Sequence, residues 1–209
     1  MPGKTWVLST ACLLFIHCKK ENAPKSPVVQ DTIKQQKTET KESVSEVNFQ
    51  IEKVKEFLKW YRDNEHKLYS FNSIKGGPQD ESETPVNYYV DFNQVEKELN
   101  FLKDSHLFSP KFLSVYKQNY VEGEENFKKN PSNDGPPFGF DYDYFFRTQD
   151  DYQSDLKNIE TISFAVNQIN PQSCNVKFHL ENCGMTYQYT LIKDQTGQWL
   201  IDSIQTDNQ

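Results

Sequence analysis

The densest run of side chains able to do chemistry lies between Gly135 and Tyr152. It carries Asp141, Tyr142, Asp143, Tyr144, Phe145, Phe146, Arg147, Gln149, Asp150 and Asp151. Asp141-x-Asp143 and Asp150-Asp151 offer hard oxygen ligands of the kind that hold Ca²⁺. A calcium loop needs about six to eight oxygens in a defined order, and the EF-hand spacing is missing, so no metal is expected. In a dry cleft, Asp143 or Asp150 could instead serve as a general acid or base, its pKa raised by burial. The aromatic neighbours suit a ligand pocket, since pockets are mostly apolar with a few placed polar groups. The simpler role for such rings is to fold back over the open end of a core. The candidate ligand-binding set is Trp60, Tyr61, Tyr142, Asp143, Phe145, Phe146, Gln149 and Asp150.

Other chemistries find less support. His66, His106 and His179 have no acid or nucleophile beside them in sequence, and phosphate-cradling glycine loops, a nucleophile elbow and zinc spacings are all missing. Cys174 and Cys183 would lie nearly 30 Å apart if they bracketed one extended strand, at about 3.3 Å per residue. A bridge tolerates a Cα separation of about 7 Å. Cys174 shares the apolar phase of Val176, Phe178 and Leu180, so a buried structural thiol is expected.

The elements that must position these groups fall into two halves. Helical spacing runs from Phe49 to Phe71, with Ile51, Val54, Leu58, Tyr61 and Leu68 near one face. Gly76-Gly77-Pro78 ends this region, and Asp80 to Thr84 reads as loop. A second helix is predicted from Asn93 to Lys103, through Val95, Leu99 and Leu102. Ser109-Pro110 supplies an N-cap and first-turn proline for a third, running to about Tyr120. Glu122 to Phe140 reads as a long loop. After Leu156 the period switches to two. Strands are predicted over Ile159–Ile169, Cys174–Glu181, Met185–Lys193 and Gln198–Ile204, with turns at Asn170-Pro171, Asn182-Cys183-Gly184 and Asp194 to Gly197. Three helices followed by a four-stranded antiparallel meander make an α+β domain.

Ahead of this domain stands a different kind of sequence. A single Lys4 and ten mostly apolar residues from Val7 to Ile16 lead to Cys18-Lys19-Lys20. A bilayer takes about 20 apolar residues, so this run is a signal h-region and not a spanning helix. The layout is that of a bacterial lipoprotein signal, 1–17, with Cys18 as the lipidated residue. Cys12 is the alternative, but a cut there would halve the h-region. Phe15-Ile16-His17 requires the relaxed lipobox of some Gram-negative lineages. Lys19 after the cysteine favours the outer membrane by resemblance to known sorting signals. Residues 18–47 read as a flexible tether: from Lys19 to Val47 there is no aromatic, six Lys and five acids. Such a chain reaches about 30 Å. The domain, 48–209, carries 16 Lys and Arg against 25 Asp and Glu, a net −9. That charge repels phosphate backbones, so nucleic acid is not an expected partner.

The helix–meander order, closing on Gly197-Gln198-Trp199-Leu200-Ile201-Asp202, resembles the nuclear-transport-factor-2-like, or cystatin-like, superfamily. Phe57-Leu58-Lys59-Trp60-Tyr61, the Asp143–Tyr152 segment with Gln149-Asp150, and the Trp199 strand also resemble an uncharacterised bacterial lipoprotein family, a domain of unknown function. The resemblance implies a cone of helices in a curved sheet and a lipoprotein lifestyle, and it implies no activity. The expected role is therefore a membrane-anchored lipoprotein, needing no cofactor, whose domain binds a small ligand or a protein partner without catalysis. The alternatives are a hydrolase or isomerase working through Asp143 or Asp150, and an immunity-type inhibitor whose acidic surface meets a basic toxin. The outer sheet face would present Lys177, His179, Glu181, Gln188 and Thr190, a polar set that points to a monomer or weak homodimer.

Overall fold

Helix α1, Thr32–Ser70, presents Val54, Phe57, Leu58, Tyr61 and Leu68 along one buried stripe at three- and four-residue intervals. The opposite face is laced by Lys53–Glu56 and Lys55–Glu52 pairs. The computed structural model describes residues 32–78 and 84–207, with side chains from residue 46 onward. The signal peptide, residues 18–31 of the tether, Cys18 among them, and most of the Asp80–Thr84 loop lie outside the described residues. Helix α1 begins well before Phe49, where apolar periodicity starts.

Gly76 and Gly77 do not simply end the helical region. They belong to β1, Ile74–Gly77, which pairs antiparallel with β2, Val86–Val90, with a register irregularity between Lys75 and Gly77. Both glycines have positive φ, 84° and 86°. A Cβ at Gly76 would stand 2.4 Å from the Asn87 carbonyl oxygen, so the strand pair closes only around a residue without a side chain.

Asp91 caps α2, Phe92–Asp104, accepting from the Asn93 and Gln94 amides at 3.0 and 3.4 Å. Ser109 caps α3, Pro110–Lys129, accepting from the Phe112 amide at 3.0 Å. Helix α3 runs two turns past Tyr120, correcting the loop expected from Glu122. The reason is packing: Phe112, Tyr116, Tyr120, Gly123 and Phe127 continue one buried stripe through the acidic run. Phe140 lies over Gly123 in the space a side chain would fill, its ring 2.4 Å from a notional Cβ. A short helix, α4, Tyr152–Leu156, and a single 3-10 turn, Ile159–Thr161, precede the sheet. The first strand accordingly starts at Phe164 and not at Ile159.

The four strands β3 (Phe164–Asn170), β4 (Ser173–Leu180), β5 (Met185–Lys193) and β6 (Trp199–Asp207) form an antiparallel meander in that order. Cys174, Val176, Phe178, Leu180, Tyr187, Tyr189 and Leu191 face the helices and are buried. Phe57 sits at the centre, its ring 5.6 Å from Tyr189 and 5.5 Å from Phe145. Thr190 pairs with Ser203 but Leu191 with Ile201, so β6 carries an extra residue, Asp202. The bulge turns Asp202 inward, where it accepts from Ser109 Oγ at 2.7 Å and Lys111 Nζ at 2.6 Å. The sheet edge is thereby tied to the start of α3. Fold class is thus α+β, helices packed on a four-stranded antiparallel sheet.

Cys174 and Cys183 are both free and buried. Burial pushes the Cys174 thiol up to about 12. Lys177, His179 and Glu181 are exposed on the outer sheet face, with Gln188 and Thr190 half-buried beside them.

Candidate functional site

A cavity of about 300 Å³ opens where the end of α1, the middle of α2 and α3, and the segment Pro137–Phe145 converge. Two carboxylates stand in its wall, Glu98 from α2 and Asp143 from the loop. Exposed aromatics surround it: Tyr69 and Tyr142 line it while remaining 58% and 55% exposed, and Phe138, between lining residues Pro137 and Gly139, is 70% exposed.

Asp143 is held on all sides. Oδ1 accepts from the backbone amides of Phe145 and Phe146, both at 2.8 Å. Oδ2 accepts from Tyr61 Oη at 2.6 Å and, more weakly, from Tyr69 Oη at 3.4 Å. Tyr152 lies 3.2 Å from Tyr61 and donates to Glu65 at 2.7 Å, extending the network along α1. An ionised carboxylate has about four acceptor sites, so Asp143 has none to spare. Burial pushes its carboxyl above the ordinary aspartate range, against the hydrogen bond from Tyr61 and the two amides, which pull it down.

Glu98 is 5% exposed. Its Oε2 accepts from Ser73 Oγ at 2.7 Å and Tyr120 Oη at 3.0 Å, and its Oε1 from Tyr116 Oη at 2.5 Å. Three donors leave one acceptor site open on Oε1. Burial again raises the carboxyl, and the three hydroxyls oppose the shift. Among the described residues, neither Glu98 nor Asp143 pairs with a Lys, Arg or His, and no cation lines the cavity.

The sequence-predicted residues separate into three groups. Tyr142, Asp143 and Phe145 line the cavity, and Tyr61 joins it through Asp143. Trp60 and Phe146 belong to the core instead. Trp60 packs on Phe101 and Phe108, and Phe146 stacks on Tyr152 with ring centroids 4.3 Å apart. Gln149 and Asp150 are exposed and stitch the loop to itself, Gln149 donating to the Asp141 carbonyl and Asp150 accepting from Thr148. Among the described residues, no group of three or more His, Cys, Asp or Glu is placed to hold a metal ion.

Glu98, Ser73, Tyr116 and Tyr120 escaped the sequence reading as site residues. Glu98 had a legible signal: it falls three residues after Val95 and four before Leu102, on the buried stripe of α2. An acid at an apolar-stripe position must find donors or stay neutral.

A second, more open depression of about 700 Å³ lies between α1 and the β5–β6 turn, beside Phe49, Lys53 and Trp199. Lys193 sits over the Trp199 ring at 4.9 Å and shares this wall. It gathers no comparable set of buried polar groups.

No protein-family model, curated protein or solved structure matches the chain. Among the described residues, no helix is long and apolar enough to cross a membrane.

Proposed function

We propose that this chain is a lipid-anchored binding protein whose α+β domain captures a small molecule in the cavity between α1, α2, α3 and the Pro137–Phe145 loop. The observation that carries this reading is the presence of a buried carboxylate, Glu98, a half-buried one, Asp143, and several tyrosine hydroxyls in one cavity wall. Buried polar groups are costly, and a fold that needed only a core would fill this space with apolar side chains. The exposed rings of Tyr69 and Tyr142 at its edge support access from solvent.

Anchoring is proposed through acylated Cys18 at the outer membrane of a Gram-negative cell, on the strength of residues 1–20. Replacing Cys18 with Ser should move the protein from the membrane fraction to the soluble fraction; continued membrane attachment would remove the anchor reading. The finer fold reading, a nuclear-transport-factor-2-like cone, draws on helices lying against a four-stranded meander. The polar outer face of the sheet supports a monomer or weak homodimer.

Binding is better supported than catalysis through Asp143. A general acid or base must direct a lone pair or proton at substrate, and all of Asp143's acceptor sites are already engaged by Tyr61, Tyr69 and two amides. The deciding experiment is native mass spectrometry of the full chain released from membranes. A mass above that of the denatured chain, lost in a Tyr69→Ala/Tyr142→Ala variant that still folds, is the expected result. A bare mass, together with no response to any small-molecule library member, would overturn the reading.

A further inference from the structure

We infer that the cavity takes an organic cation, a protonated amine or quaternary ammonium, held between aromatic rings with Glu98 as its counter-charge. This rests on the ligand-binding reading above and gives that ligand its chemical class.

Charge is the first argument. The cavity wall contains two carboxylates and no cationic side chain. Arg147 is exposed, lies 5.4 Å from the Tyr144 ring centroid, and pairs with neither carboxylate. An anionic ligand would meet repulsion from both acids in a low-dielectric wall. A cation would supply the one partner they lack.

Acceptor geometry is the second. Asp143 is saturated, so it contributes field and not a bond. Glu98 retains one site on Oε1, beside the 2.5 Å bond from Tyr116. An ammonium N–H or the positive face of a quaternary group fits that position. A neutral hydroxyl or amide can donate there as well, but only a cation also balances the charge of the carboxylate.

The third argument is the ring arrangement. Tyr116 meets Tyr144 edge-to-face at 4.4 Å, and Tyr120 stacks on Phe140 at 5.2 Å. Phe112 and Tyr116 both stack on the Phe145 ring, at 6.2 and 5.9 Å. Tyr116, Tyr120, Phe140, Tyr144 and Phe145 all line the cavity, with Tyr69 at its rim. Electron-rich rings lining a small void attract a cation through the ring quadrupole wherever a face is free. The hydroxyls of Tyr116 and Tyr120 donate to Glu98, so these rings are fixed before any ligand arrives. A volume of about 300 Å³ is at the small end for ligand sites, which favours a compact headgroup over a long chain.

The test uses the full chain, purified from membranes in an uncharged maltoside detergent. Titration calorimetry is run with choline and phenethylammonium, each against its neutral isostere, 3,3-dimethylbutanol and 2-phenylethanol. At least one ammonium should bind, about tenfold or more tighter than its isostere. Glu98→Gln should reduce that preference to near unity. Tyr69→Ala and Tyr142→Ala, at exposed rim positions, should weaken the ammonium several-fold with unchanged circular dichroism, which keeps the test valid if the Glu98 variant fails to fold. Equal affinity for ammonium and isostere, or preference for the carboxylate analogue 3,3-dimethylbutyrate, would overturn the cation class and leave the binding role standing. No heat from any probe of either charge, with no retained mass in native spectra, would overturn both.

Discussion

Tyr61 and Asp143 stand 82 residues apart in sequence and share a 2.6 Å hydrogen bond at the junction of the core and the cavity. Tyr61 is fully buried on α1, and Asp143 opens the turn that inserts Phe145 and Phe146 into the core. One bond thus couples the central helix to the loop that forms a wall of the site. The long segment after α3 is tied at this point by the bonds of Asp143 to Tyr61 and to the Phe145 and Phe146 amides, although Asp143 to Arg147 forms no helix or strand.

Removing that donor should be costly. Tyr61→Phe leaves the half-buried Asp143 carboxylate one partner short and removes the link to Tyr152, for a loss of about 1–3 kcal/mol in urea denaturation. The same variant should also loosen the Asp141–Arg147 segment, read as faster amide exchange at Phe145 and Phe146. Unchanged stability would mean that the Tyr61 bond adds nothing to what the rings and the two amide bonds to Asp143 already supply.

The two cavity carboxylates predict a pH dependence of definite sign. Burial raises both above their ordinary values of 4.5 for Glu98 and 3.8 for Asp143. Between the ordinary and raised values the folded chain holds more protons than the unfolded chain. Stability from these two groups is therefore greatest below the ordinary values and falls as pH climbs through the raised ones. Acids such as Glu160, held down to about 2 by Lys55 and Lys59, act in the opposite sense. The measurement is therefore a difference: wild type minus Glu98→Gln/Asp143→Asn, unfolded in urea across the acid range. The difference should favour wild type least at neutral pH, and a flat difference would contradict the shifts.

The bulge at Asp202 should behave as a fastener between sheet and helix. Asp202→Ala strips the acceptor from Ser109 Oγ and Lys111 Nζ and should cost about 2–3 kcal/mol. Ser109→Ala loses the same bond and the cap on the Phe112 amide, about 1–2 kcal/mol. Because the two share one interaction, the double variant should lose less than the sum, which a double-mutant cycle in urea will read directly.

The thiols of Cys174 and Cys183 should resist modification in the folded chain. Both are buried, and burial raises both thiol pKa values, that of Cys174 to about 12. Reaction with an aromatic disulfide reagent near neutral pH should be slow in buffer and complete in urea, with two equivalents released from the domain. Fast reaction of Cys174 in buffer would show that β4 opens locally, and of Cys183 that the β4–β5 turn does.

Much of the architecture is written in local patterns. The cap Ser109, with Pro110 behind it, announces where α3 begins, because a side chain two or three residues ahead of an unpaired amide is a local solution to a local need. The alternation through Val176, Phe178 and Leu180, and through Tyr187, Tyr189 and Leu191, likewise marks the strands and their inner face. Features settled by distant neighbours were not visible. Gly76 and Gly77 look like terminators until Val86–Val90 pairs with them. The Glu122–Glu125 run looks like loop until Phe140 lies on Gly123 and Phe127 reaches the core.

The candidate site divides along the same line. Sequence alone identified the aromatic and acidic loop around Asp143, and with it Tyr61 on the first helix, because clustered residue types are a local property. It also established the helix-to-strand order and the acidity of the domain. Only the tertiary structure decided that Asp143 and Glu98 share one cavity, that Trp60 and Phe146 serve the core, and that Gln149 and Asp150 stay on the surface. The physical reason is burial. A carboxylate's hydrogen-bond partners, its pKa and the field it casts depend on which chain segments exclude water around it. For Glu98 those segments are contributed by Ser73, Tyr116 and Tyr120, none of them its neighbour in sequence.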